Sequence, residues 1–144
     1  MFDSVHPSWQ PLFERNSAQL ANILNAIPEK GITPARENLF RAFERGVDDY
    51  RVLIVGQDPY PNPLHATGLA FAVPEGTSPV PPTLRNILRE LDEDLGILRS
   101  HSIESWSRHG VMLLNRHLST LENQTAAHIG IGWDQFTSAA CQFL

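Results

Sequence analysis

The sequence predicts an α/β domain built around a mainly parallel β-sheet. Two short segments, 51–55 with consecutive apolar residues from Val52 to Val55 and 111–114, are typical of strands that are covered on both faces. Segments with helical periodicity lie before, between and after these runs, which is the alternation expected of α/β proteins. Polar residues follow both runs directly, as Gly-Gln-Asp at 56–58 and as Asn115. Because ligands bind beyond the carboxyl ends of parallel strands, we expect one site built from both strand ends.

Composition indicates one globular domain over residues 1–144. The chain has 11 basic and 16 acidic residues, a formal net charge of −5, and 42% apolar residues, which is not the profile of a disordered chain. The single cysteine, Cys141, excludes an internal disulfide and a multi-cysteine zinc site. We expect a soluble, cytoplasmic protein without a membrane segment, because no secretory signal is visible and every apolar run is too short to span a bilayer. The acidic balance argues against a broad basic surface for nucleic acid, but it leaves a local DNA groove open.

Two helices are predicted in the first third of the chain. Apolar residues recur at helical spacing over 17–27, and Pro28 stops that helix. A second helix is predicted over 34–45, with Thr33 as its N-cap and Gly46 closing it.

The second half of the chain is predicted to alternate strands and helices. Residues 69–73 form a candidate strand, and apolar residues at helical spacing predict an amphipathic helix over 83–95 that Gly96 caps. A short helix over 102–109 precedes the strand at 111–114, and a last helix begins near Trp133.

The GQDPYP loop after the first apolar run is the most informative segment. Gly56 lets the backbone turn sharply and approach a ligand closely. Pro59 and Pro61 restrict the residues before them, Asp58 and Tyr60, to extended conformations. A loop with so little freedom presents backbone amides and a carboxylate in fixed positions, as electrostatic catalysis requires. The alternative is a stiff proline-rich turn in which Asp58 is only a turn or cap residue.

This loop and the motifs that follow it carry a resemblance to a known family. The segments VLIVGQDPYP, HATGLAF, PPTLRNIL, GVMLLN and GWDQF, in this order, resemble the family 1 uracil-DNA glycosylases. The version with Pro61 after the tyrosine looks like the actinobacterial branch. The resemblance implies a three-layer α/β/α fold with a mainly parallel central sheet. It also implies a monomeric, monofunctional glycosylase that hydrolyses the N-glycosidic bond of flipped-out deoxyuridine in base-excision repair.

The resemblance assigns the chemistry to Asp58 and its neighbours. Asp58 matches the carboxylate that positions water and stabilises the cationic sugar, because an oxocarbenium-like transition state favours a nearby anion. The backbone amides of Gln57 and Asp58 match donors to uracil O2, where negative charge develops. No metal or other cofactor is implied, because uracil leaves as a stabilised anion.

The base-recognition residues are implied in the same way. Tyr60 matches the ring that leaves no room for the thymine methyl group. Phe71 matches the ring on which the flipped uracil stacks. Asn115 matches the side chain that reads the base edge, since an amide accepts from uracil N3–H and donates to O4 at once. Cytosine presents the opposite pattern, and such a mismatch discriminates by roughly 10⁴–10⁵.

Contacts to the DNA backbone are implied for Thr83, Pro81 and His65. Thr83 stands where the family often has a serine that binds a phosphate, and with the adjacent prolines it would help to pinch the strand so that the base flips out. His65, in the proline-rich loop, is expected to face either DNA or solvent.

Structural interpretations of these residues stay open beside the functional ones. Phe71 has the pattern of a core residue in a strand, Thr83 is a good helix N-cap, and Asn115 follows a strand end as turn residues do. The other histidines lack the spacing of metal ligands, and we interpret them as surface or structural residues: His6, His101, His109, His117 and His128.

One family feature is expected to be absent. Complete members continue past the GWDQF helix into a further strand and a His-Pro-Ser-Pro loop, whose histidine binds uracil O2. A nearby leucine fills the space left by the flipped base. The sequence stops at Leu144 before that loop, so we expect a sheet that is incomplete at its C-terminal end.

The alternative function is therefore a catalytically impaired remnant that binds DNA or uracil without turnover. A third possibility is an unrelated α/β domain that binds another small ligand at the same strand ends.

Overall fold

The computed structural model describes residues 2–96 and 102–144, in which short strands alternate with helices. The α-helices are α1 (Gln10–Arg15), α2 (Ser17–Ala26), α3 (Pro82–Leu95) and α4 (Trp133–Phe143), and the strands are β1 (Ile32–Thr33), β2 (Val52–Gly56), β3 (Val111–Asn115) and β4 (Thr120–Leu121). The described residues also contain five 3₁₀ segments, at Pro7–Trp9, Arg36–Asn38, Arg41–Phe43, Val47–Asp49 and Glu104–His109.

The strand predictions at 51–55 and 111–114 are confirmed as a parallel pair. β2 pairs with β3 in a register that runs from Val52 opposite Val111 to Gly56 opposite Asn115. Both strands therefore end at the same edge of the sheet. The short strands β1 and β4 form a separate antiparallel pair. Helices packed around a parallel pair make this an α/β fold.

The two strands of the parallel pair differ in burial. Residues 112–114 of β3 are fully buried, whereas Val52 and Val55 of β2 are 52% and 50% exposed. The expectation that the first strand is buried on both faces is therefore wrong. Within the described residues β2 has a neighbouring strand only on its β3 side, which leaves the other edge without a partner.

The prediction of a helix over 34–45 is wrong. This segment forms two 3₁₀ turns, and Thr33 lies in β1 instead of capping a helix. The Thr33 hydroxyl donates to the carbonyl of Tyr60 at 2.8 Å. Phe40, with φ −107° and ψ 20°, interrupts the helical backbone between the two turns. Four side chains of this segment are buried in the core: Leu39, Phe40, Ala42 and Phe43.

The strand predicted over 69–73 is also wrong. This segment is a turn, although the Ala70 amide still donates to the Leu113 carbonyl of β3 at 3.0 Å. Gly68 and Phe71 have φ angles of +87° and +62°, and two left-handed residues so close together break an extended strand.

The helix predictions elsewhere are confirmed, with shifts of a residue or two. α2 matches the predicted helix over 17–27, and α4 begins at Trp133. α3 ends at Gly96, which has a left-handed φ of +61° as a C-cap requires. The segment predicted as a helix over 102–109 is a 3₁₀ helix closed by Gly110. No helix in the described residues is long and apolar enough to cross a membrane.

An aromatic cluster joins the two ends of the chain and fixes α4 beside the sheet. Phe13 of α1 packs against Phe136 of α4, with ring centroids 5.3 Å apart. From α4, the Thr137 hydroxyl donates to the Arg116 carbonyl at 2.8 Å. The segment that leaves β3 is thereby held to the core. The cluster comprises Trp9, Phe13, Phe40, Phe43, Trp133 and Phe136.

Candidate active site

Gly56 is the point at which the site side chains come together. A Cβ atom on Gly56 would lie 2.4 Å from Asn115 Oδ1, 3.1 Å from Ala70 Cβ and 3.4 Å from Phe71 Cζ. Only glycine allows the Asn115 amide to approach the end of β2 so closely. Asn115 is 5% exposed and Phe71 is half-buried. The ends of β2 and β3 therefore lie together, as expected, and the turn that carries Phe71 lies beside them.

The Asp58 carboxylate is bound by a histidine. His117 Nδ1 lies 2.8 Å from Asp58 Oδ1, and the two side chains are 7% and 5% exposed. An ionised carboxylate only accepts hydrogen bonds, so Nδ1 carries the hydrogen. The second oxygen, Oδ2, is buried and has no hydrogen-bond partner among the described residues. Asp58 therefore has one oxygen bound by the imidazole and one buried oxygen without a partner in the described residues.

The interpretation of His117 as a surface residue is wrong, because it is 5% exposed and contacts the candidate catalytic carboxylate. The sequence contained a signal for this contact. Gly56 pairs with Asn115 at the ends of β2 and β3, and the backbone continues two residues past each of them, to Asp58 and to His117. The backbone maintains the alignment, since the His117 amide donates to the Gln57 carbonyl at 2.9 Å and the Arg116 amide donates to the Gly56 carbonyl at 2.8 Å.

Tyr60 is fixed at both ends of the residue. Its hydroxyl donates to the Phe71 carbonyl at 3.0 Å, and its own carbonyl accepts from Thr33. Burial raises the pKa of Tyr60 to about 12, so the ring stays a neutral phenol at physiological pH. The structure therefore brings Tyr60 and Phe71 together through the backbone of the turn that carries Phe71.

Phe71 adopts a backbone conformation that is unfavourable for its residue type. A non-glycine residue at φ +62° is uncommon, and such outliers cluster at functional sites. The Tyr60 hydroxyl and the adjacent Ala70–Leu113 hydrogen bond hold it there. Phe71 packs against the core but is only partly buried. The interpretation of Phe71 as a core residue therefore holds for the buried part of its side chain and not for the exposed part.

The residues expected at the DNA backbone lie on two different elements. His65 is half-buried and packs edge-on to Tyr60, with ring centroids 6.1 Å apart and an interplanar angle of 89°. Thr83 is exposed in the first turn of α3, and Pro81 is buried at the N-cap of that helix. The expectation that Thr83 is the N-cap is wrong, because Pro81 takes that position without a side-chain cap bond. No hydrogen bond in the described part of the chain links Pro81 or Thr83 to Asp58.

His128 is structural, as expected. Its Nδ1 lies 2.8 Å from Ser119 Oγ, which accepts a hydrogen bond from Trp133 Nε1 at 2.8 Å. Burial lowers the pKa of His128. His6 and His109 are exposed, as expected, while His101 lies outside the described residues. No group of three or more His, Cys, Asp or Glu side chains in residues 2–96 and 102–144 is arranged to hold a metal ion.

Known proteins are similar to this chain in sequence and in fold. "Uracil-DNA glycosylase 1" of Streptomyces coelicolor is 43% identical over 147 aligned residues, which cover 97% of this chain and 65% of that protein. A uracil-DNA glycosylase of Nocardioides sp. is 49% identical over 113 residues, which cover 77% of this chain and 49% of its own. The crystal structure of mimivirus uracil-DNA glycosylase superposes with a TM-score of 0.82 at 26% identity, covering 97% of this chain and 56% of that one.

These matches define the family and the extent of the resemblance. The chain spans 65% of the length of its Streptomyces coelicolor relative. The uracil DNA glycosylase superfamily profile matches residues 43–143, which include Asp58, Phe71, Asn115 and His117. By this match the chain belongs to the uracil DNA glycosylase superfamily.

Proposed function

We propose that the protein hydrolyses the N-glycosidic bond of deoxyuridine in DNA and releases free uracil, the first step of base-excision repair. The observation that supports this most strongly is the close approach at Gly56, where Asn115 and Phe71 meet the end of the strand that leads to Asp58. A base-reading amide, an aromatic ring and a carboxylate are thereby gathered at one sheet edge. Relatives at 40–49% identity are named uracil-DNA glycosylases, which supports the same reaction.

In this proposal Asp58 provides the electrostatic part of the catalysis. As the bond to uracil breaks, positive charge develops on the sugar and negative charge on the base. The Asp58 carboxylate stabilises the sugar cation and orients the water that adds to it. The backbone amides of Gln57 and Asp58 donate to uracil O2. Fixed charges and dipoles of this type contribute a large share of a rate enhancement.

Selectivity for uracil is assigned to three side chains. Asn115 accepts from N3–H and donates to O4, a pattern that cytosine does not match. Tyr60 excludes the methyl group of thymine, because hydrogen bonds at its hydroxyl and at its carbonyl hold the residue in place. Phe71 stacks on the face of the flipped base.

The surrounding surface is assigned to the DNA strand. Thr83 contacts the phosphate backbone from the exposed first turn of α3, which Pro81 supports from its buried N-cap position, and His65 contacts the DNA from the loop beside Tyr60. We further propose a monomeric cytoplasmic enzyme that uses no metal or cofactor and has no membrane partner. Its fold is a three-layer α/β/α arrangement to which β2 and β3 contribute a parallel pair.

The test is release of uracil from a single-stranded oligonucleotide with one deoxyuridine. The chain of residues 1–144 should release uracil. Asp58→Asn should abolish release without lowering the melting temperature, because it keeps the shape of the side chain. His109→Leu, at an exposed position, is the matched control and should behave as the parent chain. A folded parent chain that releases no uracil would overturn the proposal for this chain.

The half-exposed valines of β2 favour a second candidate, a remnant that binds without turnover. Val52 and Val55 are exposed, and in the described residues β2 has a neighbouring strand only on its β3 side, which is typical of a strand at a sheet edge. The discriminating comparison is the chain as it stands against the same chain extended after Leu144 by the corresponding region of the Streptomyces coelicolor relative. Salt-sensitive DNA binding by the short chain, with release only by the extended chain, would identify the remnant.

A further inference from the structure

We propose that His117 is a positioning residue for the catalytic carboxylate: its Nδ1–H holds Asp58 Oδ1, so that Oδ2 is the oxygen that acts on water and on the sugar cation. This inference rests on the proposed function for its chemistry. Its geometry rests on the contact alone, in which the two atoms lie 2.8 Å apart and both side chains are almost fully buried.

The two oxygens of Asp58 differ in their surroundings. Oδ1 accepts from the imidazole, whereas Oδ2 is buried without a hydrogen-bond partner in the described residues. A buried carboxylate oxygen without a partner is costly in a folded protein, so such atoms are rare outside functional sites. A carboxylate held through one oxygen cannot rotate freely about its Cβ–Cγ bond. The hydrogen bond therefore determines which oxygen remains for the reaction.

His117 is itself held by the backbone. Its amide donates to the Gln57 carbonyl, one residue before Asp58, and this bond extends the alignment of β2 with β3. The next contact outward is the Thr137 hydroxyl of α4, which donates to the Arg116 carbonyl. The imidazole is consequently placed by the sheet and by α4 and needs little further ordering when substrate binds.

A merely structural histidine is the alternative, and the same protein contains one. His128 is as buried as His117, but its Nδ1 meets the Ser119 hydroxyl and not a carboxylate. A structural role for His117 predicts that any replacement acts through stability. A positioning role predicts a loss of rate in a chain that stays folded.

The activity test uses a donor-removing and a donor-keeping variant of His117. His117→Leu removes the donor, while His117→Asn places an amide N–H close to the position of Nδ1. In single-turnover uracil release we expect His117→Leu to be slower by about 10- to 100-fold, the usual effect of losing a hydrogen bond to a charged group. His117→Asn should recover most of that loss, and DNA binding should be unchanged in both. His128→Leu should lower the melting temperature but leave the rate of the folded chain unchanged.

A spectroscopic measurement keeps this inference separate from the proposed function. In the parent chain labelled with ¹⁵N-histidine, the Nδ1–H proton of His117 should be protected from exchange and shifted downfield. Asp58→Ala should remove that resonance, and His128→Leu should retain it. A parent chain with the resonance but without uracil release would refute the proposed function and leave the positioning contact standing.

Three results would overturn the inference. One is a rate for His117→Leu equal to that of the parent chain. Another is an equal rate loss in His117→Leu and His117→Asn that follows their melting temperatures, which indicates a structural role. The third is the absence of a protected Nδ1–H resonance in the parent chain, whatever its activity.

Discussion

The aromatic cluster and the candidate active site at the ends of β2 and β3 hold their side chains in different ways. In the cluster most rings meet two or more others, and Phe136 lies within 6.4 Å of Phe13, Phe40, Phe43 and Trp133. In the site the key contacts are single: one imidazole on Asp58, one carbonyl on the Tyr60 hydroxyl and one glycine beneath Asn115. The cluster distributes stability over many contacts, whereas the site places each group through one. Substitutions in the two regions should therefore fail in different ways.

The largest expected effect on stability is in the cluster. Phe136→Ala removes a fully buried ring, and such truncations cost about 3–5 kcal/mol through lost burial and the cavity left behind. Chemical denaturation of the parent and variant chains measures this difference. Where the variant remains folded, its rate of uracil release should match that of the parent. A folded Phe136→Ala chain that has lost release would contradict the separation of the two regions.

A smaller effect on stability, with loss of function, is expected at Gly56. In Gly56→Ala the new methyl group would lie 2.4 Å from Asn115 Oδ1, and overpacking of this kind costs about 1–3 kcal/mol. Because Asn115 has to move, uracil binding should be lost in a chain that still folds. Gly76→Ala is the matched control: its φ of +81° strains the new residue, but no atom lies within 4 Å of the added Cβ. Calorimetric titration with uracil checks both variants, and retained binding in Gly56→Ala would show that Asn115 does not depend on this approach.

A third effect is a loss of stability at alkaline pH. Burial raises the pKa of both tyrosines, Tyr50 and Tyr60, from 10.0 to about 12. Between these values the unfolded chain loses its phenolic protons while the folded chain keeps them, so the free energy of unfolding falls as pH rises from 10 toward 12. Denaturation at a series of pH values measures the slope. Tyr60→Phe should reduce the slope, and an unchanged slope in that variant would contradict the raised pKa.

The smallest effect concerns the hydrogen-bonded group of His128, Ser119 and Trp133. Burial lowers the pKa of His128 below its ordinary value of 6.5. The unfolded chain therefore takes up the proton first as pH falls below 6.5, and the free energy of unfolding decreases. An NMR titration of the imidazole gives the pKa directly. A midpoint at or above 6.5 would contradict the prediction.

Sequence patterns predicted the elements that depend on local periodicity and missed those that depend on tertiary contacts. The strands β2 and β3 and the helix α3 follow from apolar runs, helical spacing and a C-cap glycine. The segment over 34–45 has helical composition, but the backbone leaves the helical conformation at Phe40 and forms two 3₁₀ turns. The turn at Phe71 was hidden because alternation in 69–73 resembles a strand, while two left-handed residues determine its shape.

The sequence likewise predicted part of the candidate active site and missed another part. The strand-end rule correctly placed Asn115 beside the Gly56 loop, since parallel strands end at one edge. His117 was missed because its significance lies in cross-strand alignment with Asp58 and not in any local spacing of metal ligands. The exposure of Val52 and Val55 was also missed, because an apolar run does not reveal how many neighbours its strand has.

The central claim is that the ends of β2 and β3 form one site for uracil, and an NMR titration of the ¹⁵N-labelled chain with free uracil tests it most directly. We expect saturable shifts of the Gln57 and Asp58 amides and of the Asn115 side-chain amide. Thymine should not produce these shifts, and Tyr60→Ala should allow thymine to produce them. A pocket elsewhere in the chain is lined by side chains that include Phe2, Phe13 and Leu24. Uracil shifts confined to that pocket, or no shifts in a folded chain, would contradict a uracil site at the strand ends.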